Sequence, residues 1–269
     1  MSSFPTWKHH IVLGAKKCLF FRRGEPYQIA GRTLRFIPGT RPVRLRYQRS
    51  RNGVNRHDAL QLAWMLENLT EGDVALDVGA NYGQCAVVMA ELCGASGHVI
   101  AFEPNPDARD ILERNFDLNP SIRRATVEPF ACSDTTSADV EFYRNRQASC
   151  SALVPFFKED MPSGRQASFR VPVTTLDAYL AQRQLPEPRL LKIDTEGAEI
   201  RILRGSQQLL SGNAVVLCEL HPYAWPLFGN SLQELQHILA ASGRRMRYLD
   251  EKAERAADVC YGIVVLERI

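Results

Sequence analysis

The chain has 269 residues, of which 45% are hydrophobic, and this length and composition suit one α/β domain with a sizeable core. A net charge of +3 is too small to indicate a nucleic-acid-binding protein, since such proteins concentrate far more positive charge in each domain. The seven cysteines are scattered, and neither a CxxC pair, a secretory leader nor a transmembrane run is recognisable. We therefore expect reduced thiols and a cytoplasmic protein.

The N-terminal part, residues 1–54, is predicted to be an extension in front of a main domain at residues 55–269. The stretch between Glu25 and Asp58, which reaches just beyond this extension, contains eight arginines and no acidic residue. Apolar residues alternate with polar ones in this stretch, at Leu34, Phe36, Val43, Leu45 and Tyr47. The pattern predicts a β-hairpin with the arginines on its solvated face. A positive surface that attracts an acidic substrate, a phosphate group or a membrane headgroup is the alternative interpretation.

Short apolar runs alternate with helical patterns in the first half of the main domain. The predicted elements are a helix ending near Leu69, a strand at Val74–Val78, a helix at residues 82–92, a strand at His98–Phe102, a helix at Pro106–Asp117 and a strand at Ala125–Glu128. This βαβαβ order requires a parallel sheet with helices on both of its faces.

The second half of the domain begins with a predicted insertion, a β-hairpin formed by residues 140–143 and 169–173 around a Ser-rich connection. Regular elements then return, as a helix after Thr175, a strand at 189–193, a helix at 198–210, a strand at 214–219, a helix that begins at a Ser231–Glu234 capping box, and strands at 246–249 and 261–266. The sequence thus predicts a doubly wound α/β fold with seven strands in its sheet.

Polar loops follow five of these strands, and open α/β sheets bind ligands at the carboxyl ends of their strands. The first loop begins with Asp77, a hydrogen-bond acceptor, and continues with Asn81 and Tyr82. Glycines at Gly79 and Gly83 allow the backbone to turn sharply and to approach a ligand closely. A tight structural turn around a buried aspartate is the alternative.

The second loop places Glu103 and Pro104 about 20 residues after the glycines, where a carboxylate can bind both hydroxyls of a ribose. The first loop reads Gly-x-x-x-Gly and lacks the GxGxxG that receives a pyrophosphate, which disfavours a nicotinamide-dependent oxidoreductase, the main alternative. S-adenosylmethionine, a nucleoside without phosphate, fits better. In the third loop Ser133 and Asp134 either contact the adenine edge or form an ordinary polar turn.

The fourth and fifth loops supply candidates for the chemical step. Asp194 lies at a strand tip, whereas Glu196 and Glu199 begin a helix, where the helix dipole alone favours acidic residues. His221 follows the next strand, and the unperturbed pKa of histidine suits proton transfer, although a buried structural histidine is the simpler interpretation. A metal is not expected, because these residues and Glu219 have no known ligand spacing, but their oxygen and imidazole groups keep that alternative open.

Taken together, these motifs resemble the FkbM family of S-adenosylmethionine-dependent methyltransferases over about residues 55–266. The likeness is carried by residues 77–83, 102–106, 133–134, 175–177, 192–199, 203–205 and 219–222. The resemblance implies a Rossmann-like class I methyltransferase fold with a mostly parallel sheet and a reversed final strand. It also implies O-methylation of a hydroxyl on a natural product, sugar or other small metabolite.

Site residues follow from the same resemblance. The cofactor-binding set is Asp77, Gly79, Asn81, Tyr82, Gly83, Glu103, Pro104, Ser133 and Asp134, and the catalytic set is Asp194, His221 and Glu196. Asp194 or His221 is expected to remove the proton of the acceptor hydroxyl. A protein that binds S-adenosylmethionine without catalysis is a further alternative. The oligomeric state stays open, with a homodimer as one option.

Overall fold

Seven of the twelve strands in the described part of the chain form one central sheet. The structure is a computed structural model that describes residues 23–49, 53–143, 153, 168–250 and 261–269. The strands are β1 (Glu25–Ile29), β2 (Arg32–Phe36), β3 (Val74–Val78), β4 (His98–Phe102), β5 (Ala125–Glu128), β6 (Ala131–Cys132), β7 (Ser137–Tyr143), β8 (Ser168–Thr174), β9 (Leu190–Ile193), β10 (Val215–Leu220), β11 (Arg244–Tyr248) and β12 (Gly262–Arg268). The helices are α1 (Gly53–Asn68), α2 (Gln84–Cys93), α3 (Pro106–Asp117), α4 (Leu176–Arg183), α5 (Glu199–Arg204), α6 (Gln207–Ser211) and α7 (Leu232–Ala241), with 3-10 helices at Leu45–Arg49 and Trp225–Phe228.

The order of strands across the central sheet is β11-β12-β10-β9-β3-β4-β5. Strands β3, β4, β5, β9 and β10 are parallel, and β12 runs antiparallel to both of its neighbours. The predicted doubly wound sheet with a reversed final strand is therefore confirmed. The chain leaves β3 toward β4 on one side and returns to β9 on the other, so a crevice opens at the carboxyl end of β3, where ligands of such sheets bind.

Two apolar clusters cover the opposite faces of this sheet, because successive side chains of a strand point to opposite sides. Ala75 of β3 and Val99 of β4 pack in a cluster with α1, α2 and the β1–β2 hairpin. Leu76 and Ile100, one residue further along each strand, pack with α4 to α7. Burial on both faces explains why β3 and β4 are almost continuous apolar runs.

The predicted partner strand of the N-terminal hairpin is wrong. Strand β2 pairs with β1, not with residues 43–47, through a two-residue turn at Ala30 and Gly31. Both turn residues have positive φ, 48° and 76°, the requirement of a type I′ turn. Residues 45–49 instead form a 3-10 helix, which follows Pro42, a residue without an amide hydrogen for a sheet ladder.

The predicted direction of the side chains is confirmed for β2. Leu34 and Phe36 are buried in the cluster below the hairpin, and Arg32 and Arg35 are exposed. Since the hairpin shares its apolar cluster with α1 and α2, it packs directly on the main domain. The boundary between residues 54 and 55 stays a prediction, and residues 1–22 lie outside the described residues.

Two asparagines attach the N-terminal segment to the rest of the molecule. Asn115 of α3 accepts a hydrogen bond from the amide of Ile37 (2.7 Å) and donates to the hydroxyl of Thr40 (3.0 Å) and to the carbonyl of Tyr82 (2.7 Å). Asn119, just after α3, pairs with both the amide and the carbonyl of Arg35 at 2.8 Å. Because Asn115 is fully buried, these bonds replace all contact with water and fix the segment in place.

Two other predictions concern the second half of the chain. The helix expected at residues 198–210 is two helices, α5 and α6, separated at Gly205, where a Cβ atom would lie 2.2 Å from the carbonyl oxygen of Ser133. The chain bends here to let the two backbones meet. The antiparallel pair of the insertion is confirmed as β7 and β8, which β6 extends to three strands. Its Ser-rich connection lies outside the described residues except for Leu153.

Candidate active site

The turn after β3 contains three residues in the left-handed region of φ. These are Gly79 (80°), Asn81 (48°) and Gly83 (80°). A Cβ atom on Gly79 would lie 1.8 Å from the carbonyl oxygen of Asp194, so glycine is required for the loops after β3 and β9 to touch. Within this turn, the carbonyl of Tyr82 accepts the hydrogen bond from the side chain of Asn115.

Glu103, at the end of β4, is buried against the same turn. One carboxylate oxygen accepts a hydrogen bond from the amide of Asn81 at 2.7 Å, and the other accepts from the amide of Asn105 at 2.8 Å. Burial raises the pKa of Glu103 to about 7, although both amide bonds oppose the rise. Pro104 is also buried, and its carbonyl and that of Glu103 accept from the guanidinium of Arg109.

A buried ion pair joins the ends of β3 and β9. The Nζ atom of Lys192 lies 3.0 Å from the carboxylate of Asp77 and 3.6 Å from that of Asp194. Burial lowers the pKa of Lys192, but the two carboxylates outweigh this effect and hold it well above its usual value. Burial also raises the pKa of Asp77, which the lysine partly reverses. Lys192 therefore stays charged. Of its two partners, Asp77 is fully buried and Asp194 is the more exposed.

A pocket that is partly open to solvent lies between these loops and the N-terminal segment. Its lining residues are Pro42, Val43, Asp58, Gln61, Leu62, Gly79, Ala80, Asn81, Gln84, Cys85, Lys192 and Asp194. The predicted cofactor loop and the predicted catalytic aspartate thus share one pocket.

Next to Asp194, His221 is held by carboxylates on both ring nitrogens. Its Nδ1 lies 2.9 Å from Glu199, and its Nε2 lies 3.7 Å from Glu196. Glu199 is fully buried, and it also accepts hydrogen bonds from the amide of Gly197 and from the indole of Trp225, both at 2.8 Å. Burial lowers the pKa of His221, but Glu199 and the nearby acids outweigh burial and raise it to about 9.

A second carboxylate, Glu219, lies buried at the end of β10. It accepts a hydrogen bond from the hydroxyl of Tyr261, and burial followed by repulsion from Asp194 raises the pKa of Glu219 to about 8. In the described ranges, no group of three or more His, Cys, Asp or Glu side chains is arranged to hold a metal ion. No helix of the described residues is long and apolar enough to cross a membrane.

The part of the chain that contains this site matches a known protein family. A model of the FkbM methyltransferase domain matches residues 77–248, more than half of the chain. The chain belongs to the FkbM family of methyltransferases. The matched segment includes every predicted site residue, from Asp77 to His221.

Two curated methyltransferases are similar to this FkbM chain. The hexuronic acid methyltransferase AglP of Haloferax volcanii is 30% identical over 158 residues, which cover 58% of this chain and 59% of AglP. The methyltransferase sdnD of Sordaria araneosa is 27% identical over 166 residues, covering 52% of this chain and 62% of sdnD. The match thus spans less than two thirds of either relative.

Solved structures of methyltransferases also resemble this chain. An FkbM methyltransferase from Methylobacillus flagellatus is 16% identical with a TM-score of 0.47, over 79% of this chain and 52% of its own. A SAM-dependent O-methyltransferase from Thermotoga maritima is 15% identical with a TM-score of 0.44, over 92% of this chain and 78% of its own.

Two of the predicted cofactor residues of this FkbM chain, Ser133 and Asp134, do not line the pocket. Asp134 pairs with the guanidinium of Arg204 on α5, which also bonds Glu234 of α7 at 2.7 Å. The hydroxyl of Ser133 donates to Asp134 at 3.2 Å. Asp134 thus bonds to α5, and the hydrogen bond given by Ser133 goes to Asp134.

The pocket residues that were not predicted as site residues include Lys192, Asp58 and Gln61. Lys192 had a readable signal, because a lysine inside the apolar run of a buried strand needs a buried partner. Asp58 and Gln61 lie three residues apart on one face of α1, but nothing in the sequence indicates that this face meets the glycine turn.

Proposed function

We propose that this protein transfers a methyl group from S-adenosylmethionine to a hydroxyl of a sugar or another small metabolite. The observation that carries the proposal is the buried carboxylate of Glu103 at the crevice beside β3. Each of its oxygens receives one backbone amide, and a carboxylate offers about four acceptor positions in all. Two positions remain for the two hydroxyls of a ribose. The relative named as a hexuronic acid methyltransferase supports a sugar as acceptor.

The residues around the crevice fit this cofactor. S-adenosylmethionine supplies, when bound, a methyl group carried by a positively charged sulfonium. The pocket next to the glycine turn holds Asp58 and Asp194, and Asp77 lies behind it in the ion pair with Lys192. Negative charge in a partly buried pocket favours a cationic ligand. The turn after β3 also lacks the GxGxxG pattern with which dinucleotide-binding enzymes hold a pyrophosphate.

His221 and Asp194 have different roles toward the acceptor. His221, with its pKa near 9 and Glu199 on Nδ1, is protonated at neutral pH and acts as a hydrogen-bond donor. Asp194 is 31% exposed in the pocket, against 3% for His221, so we infer that Asp194 accepts the hydroxyl proton. A general base contributes about 10²- to 10⁴-fold, whereas positioning of the reactants can supply up to roughly 7–11 kcal/mol.

Ligand binding tests the proposal directly. We expect S-adenosylhomocysteine at about 100 times its Kd to stabilise the protein by about 2.7 kcal/mol, while NAD leaves the melting temperature unchanged. Transfer of a labelled methyl group to sugars, with a uronic acid and its neutral parent sugar as a matched pair, then tests the reaction. Stabilisation by NAD alone would instead favour an oxidoreductase, and binding without any transfer would favour a protein that only binds the cofactor.

The pH dependence of nucleoside binding tests the role of Glu103. An ionised carboxylate accepts hydrogen bonds from both ribose hydroxyls, so the affinity for 5′-methylthioadenosine, which has the ribose but no charged tail, should rise as pH increases from 6 to 8, through the pKa of about 7. Calorimetric titration measures this change. Glu103→Gln should bind weakly with no such rise, and a variant that keeps the rise would remove Glu103 from the ribose site.

A further inference from the structure

One wall of the pocket is built by residues that precede the matched family region. Pro42 and Val43 lie in the loop after β2, and Asp58, Gln61 and Leu62 lie on α1. The FkbM model begins only at residue 77. The pocket beside the glycine turn is thus closed by a part of the chain to which the family match assigns no role.

This wall is fixed by hydrogen bonds from β1 and from α2. The hydroxyl of Tyr27 donates to the carbonyl of Val43 at 2.6 Å, and the side-chain amide of Gln84 on α2 donates to the carbonyl of Arg41 at 3.3 Å. Next to it, Leu62 is buried in the cluster that contains α2. The position of Asp58, which lines the pocket, is therefore set by the packing of α1.

The charges around this space are unbalanced. Among the described residues that line the pocket, Asp58 and Asp194 are acidic and Lys192 is the one basic residue. Lys192 also pairs with the buried carboxylate of Asp77 behind the pocket, as well as with Asp194. Burial, and after it repulsion from Asp194, raises the pKa of Asp58 to about 6. The side-chain oxygen of Asn81 is also buried in this pocket, without a hydrogen-bond partner among the described residues. An additional cation with hydrogen-bond donors would neutralise the carboxylate of Asp58 and donate to the side-chain oxygen of Asn81.

We propose that Asp58 binds the ammonium group of the methionine tail of S-adenosylmethionine, so that α1 and the loop after β2 form part of the cofactor site. This inference rests on the proposed function. The carboxylate of the same tail then faces the first turn of α2, where Gln84 and Cys85 line the pocket and where helix amides favour an anion. Asp58 acts in binding and does not touch the transferred methyl group.

Two ligands that differ only in the tail isolate this contact. S-adenosylhomocysteine carries the amino-acid tail, whereas 5′-methylthioadenosine has the same nucleoside and no tail. We expect Asp58→Asn to weaken S-adenosylhomocysteine by about 10-fold or more, as for the loss of a charge-assisted hydrogen bond, and to leave 5′-methylthioadenosine within about 2-fold. Glu67→Gln, on an exposed position of the same helix, is the matched control and should change neither affinity.

A ligand-side change adds a measurement on the unaltered protein, which does not depend on whether the variant folds. The analogue of S-adenosylhomocysteine without its amino group should bind the unaltered protein about 10-fold or more weakly, and Asp58→Asn should weaken this analogue no further. Equal affinity of the unaltered protein for both ligands, or an equal loss for tailed and tailless ligands in Asp58→Asn, would overturn the role of Asp58. If the unaltered protein bound none of these nucleosides, the proposed function itself would be wrong.

Discussion

Replacing Gly79 with alanine is expected to remove nucleoside binding and to lower stability. The new Cβ atom would lie 1.8 Å from the carbonyl oxygen of Asp194, and the residue would keep a φ of 80°. The left-handed conformation alone costs alanine about 1–2 kcal/mol, and the overlap adds about 1–3 kcal/mol. Relief of the overlap must move the loops after β3 and β9 apart, and a displacement near 1 Å is enough to lower the rate of a reaction between positioned groups by about 100-fold.

Gly39→Ala is the matched control for this variant. Gly39 also has a positive φ, 90°, but no atom lies within 4 Å of its added Cβ. It should therefore show only the conformational cost, with full affinity for S-adenosylhomocysteine. Thermal unfolding and calorimetric titration of both variants separate the two effects. If Gly79→Ala were as stable as Gly39→Ala and bound the nucleoside normally, contact between the two loops would not be required.

Replacing Glu199 with glutamine is expected to give the largest loss of stability, about 3–5 kcal/mol, because it leaves His221 as a buried cation without its partner. Glutamine also places an amide group against hydrogen-bond donors, since Glu199 receives bonds from His221, Gly197 and Trp225. Denaturant unfolding at pH 6 measures this change. Glu196→Gln is the matched control, because its carboxylate is partly exposed and lies 3.7 Å from the ring.

The effect of Glu199→Gln should depend on pH in a defined direction. The pKa of His221 is raised from about 6.5 to about 9 in the folded protein, so the pair contributes fully below pH 6.5, and its contribution is lost as pH rises through 9. The difference in unfolding free energy between Glu199→Gln and the unaltered protein should therefore shrink between pH 6 and pH 9.5. An NMR titration in which His221 keeps its high pKa in the variant would contradict the assigned partner.

The central sheet could be predicted because its signals are local. Strands β3 and β4 are apolar runs that end in polar loops, and their predicted limits agree with the structure. The hairpin could not be predicted in full, because its turn uses Ala30 at positive φ, a conformation that alanine rarely adopts. The break at Gly205 depends on contact with Ser133, which is distant in sequence and leaves no periodic signal.

The candidate site shows the same division. The sequence predicted polar groups at the strand ends, and the structure brings Asp77, Gly79, Asn81, Glu103 and Asp194 together at the crevice. The partners of those groups depend on long-range packing. The amides that hold Glu103, the charge of Lys192 and the approach of Asp58 arise only when α1 and β9 meet the turn after β3. The binding of Asp134 to Arg204 likewise depends on how α5 packs.

The buried asparagine of α3 restricts how the chain can vary in length. Because Asn115 bonds the loop after β2 and the turn after β3 at once, neither can slide without leaving backbone groups unsatisfied, at about 1–3 kcal/mol each. Insertions or deletions between residues 37 and 40 should therefore distort the pocket beside the glycine turn, although surface loops usually tolerate them. Related chains that keep this asparagine are expected to keep the same spacing between their N-terminal hairpin and the first helix.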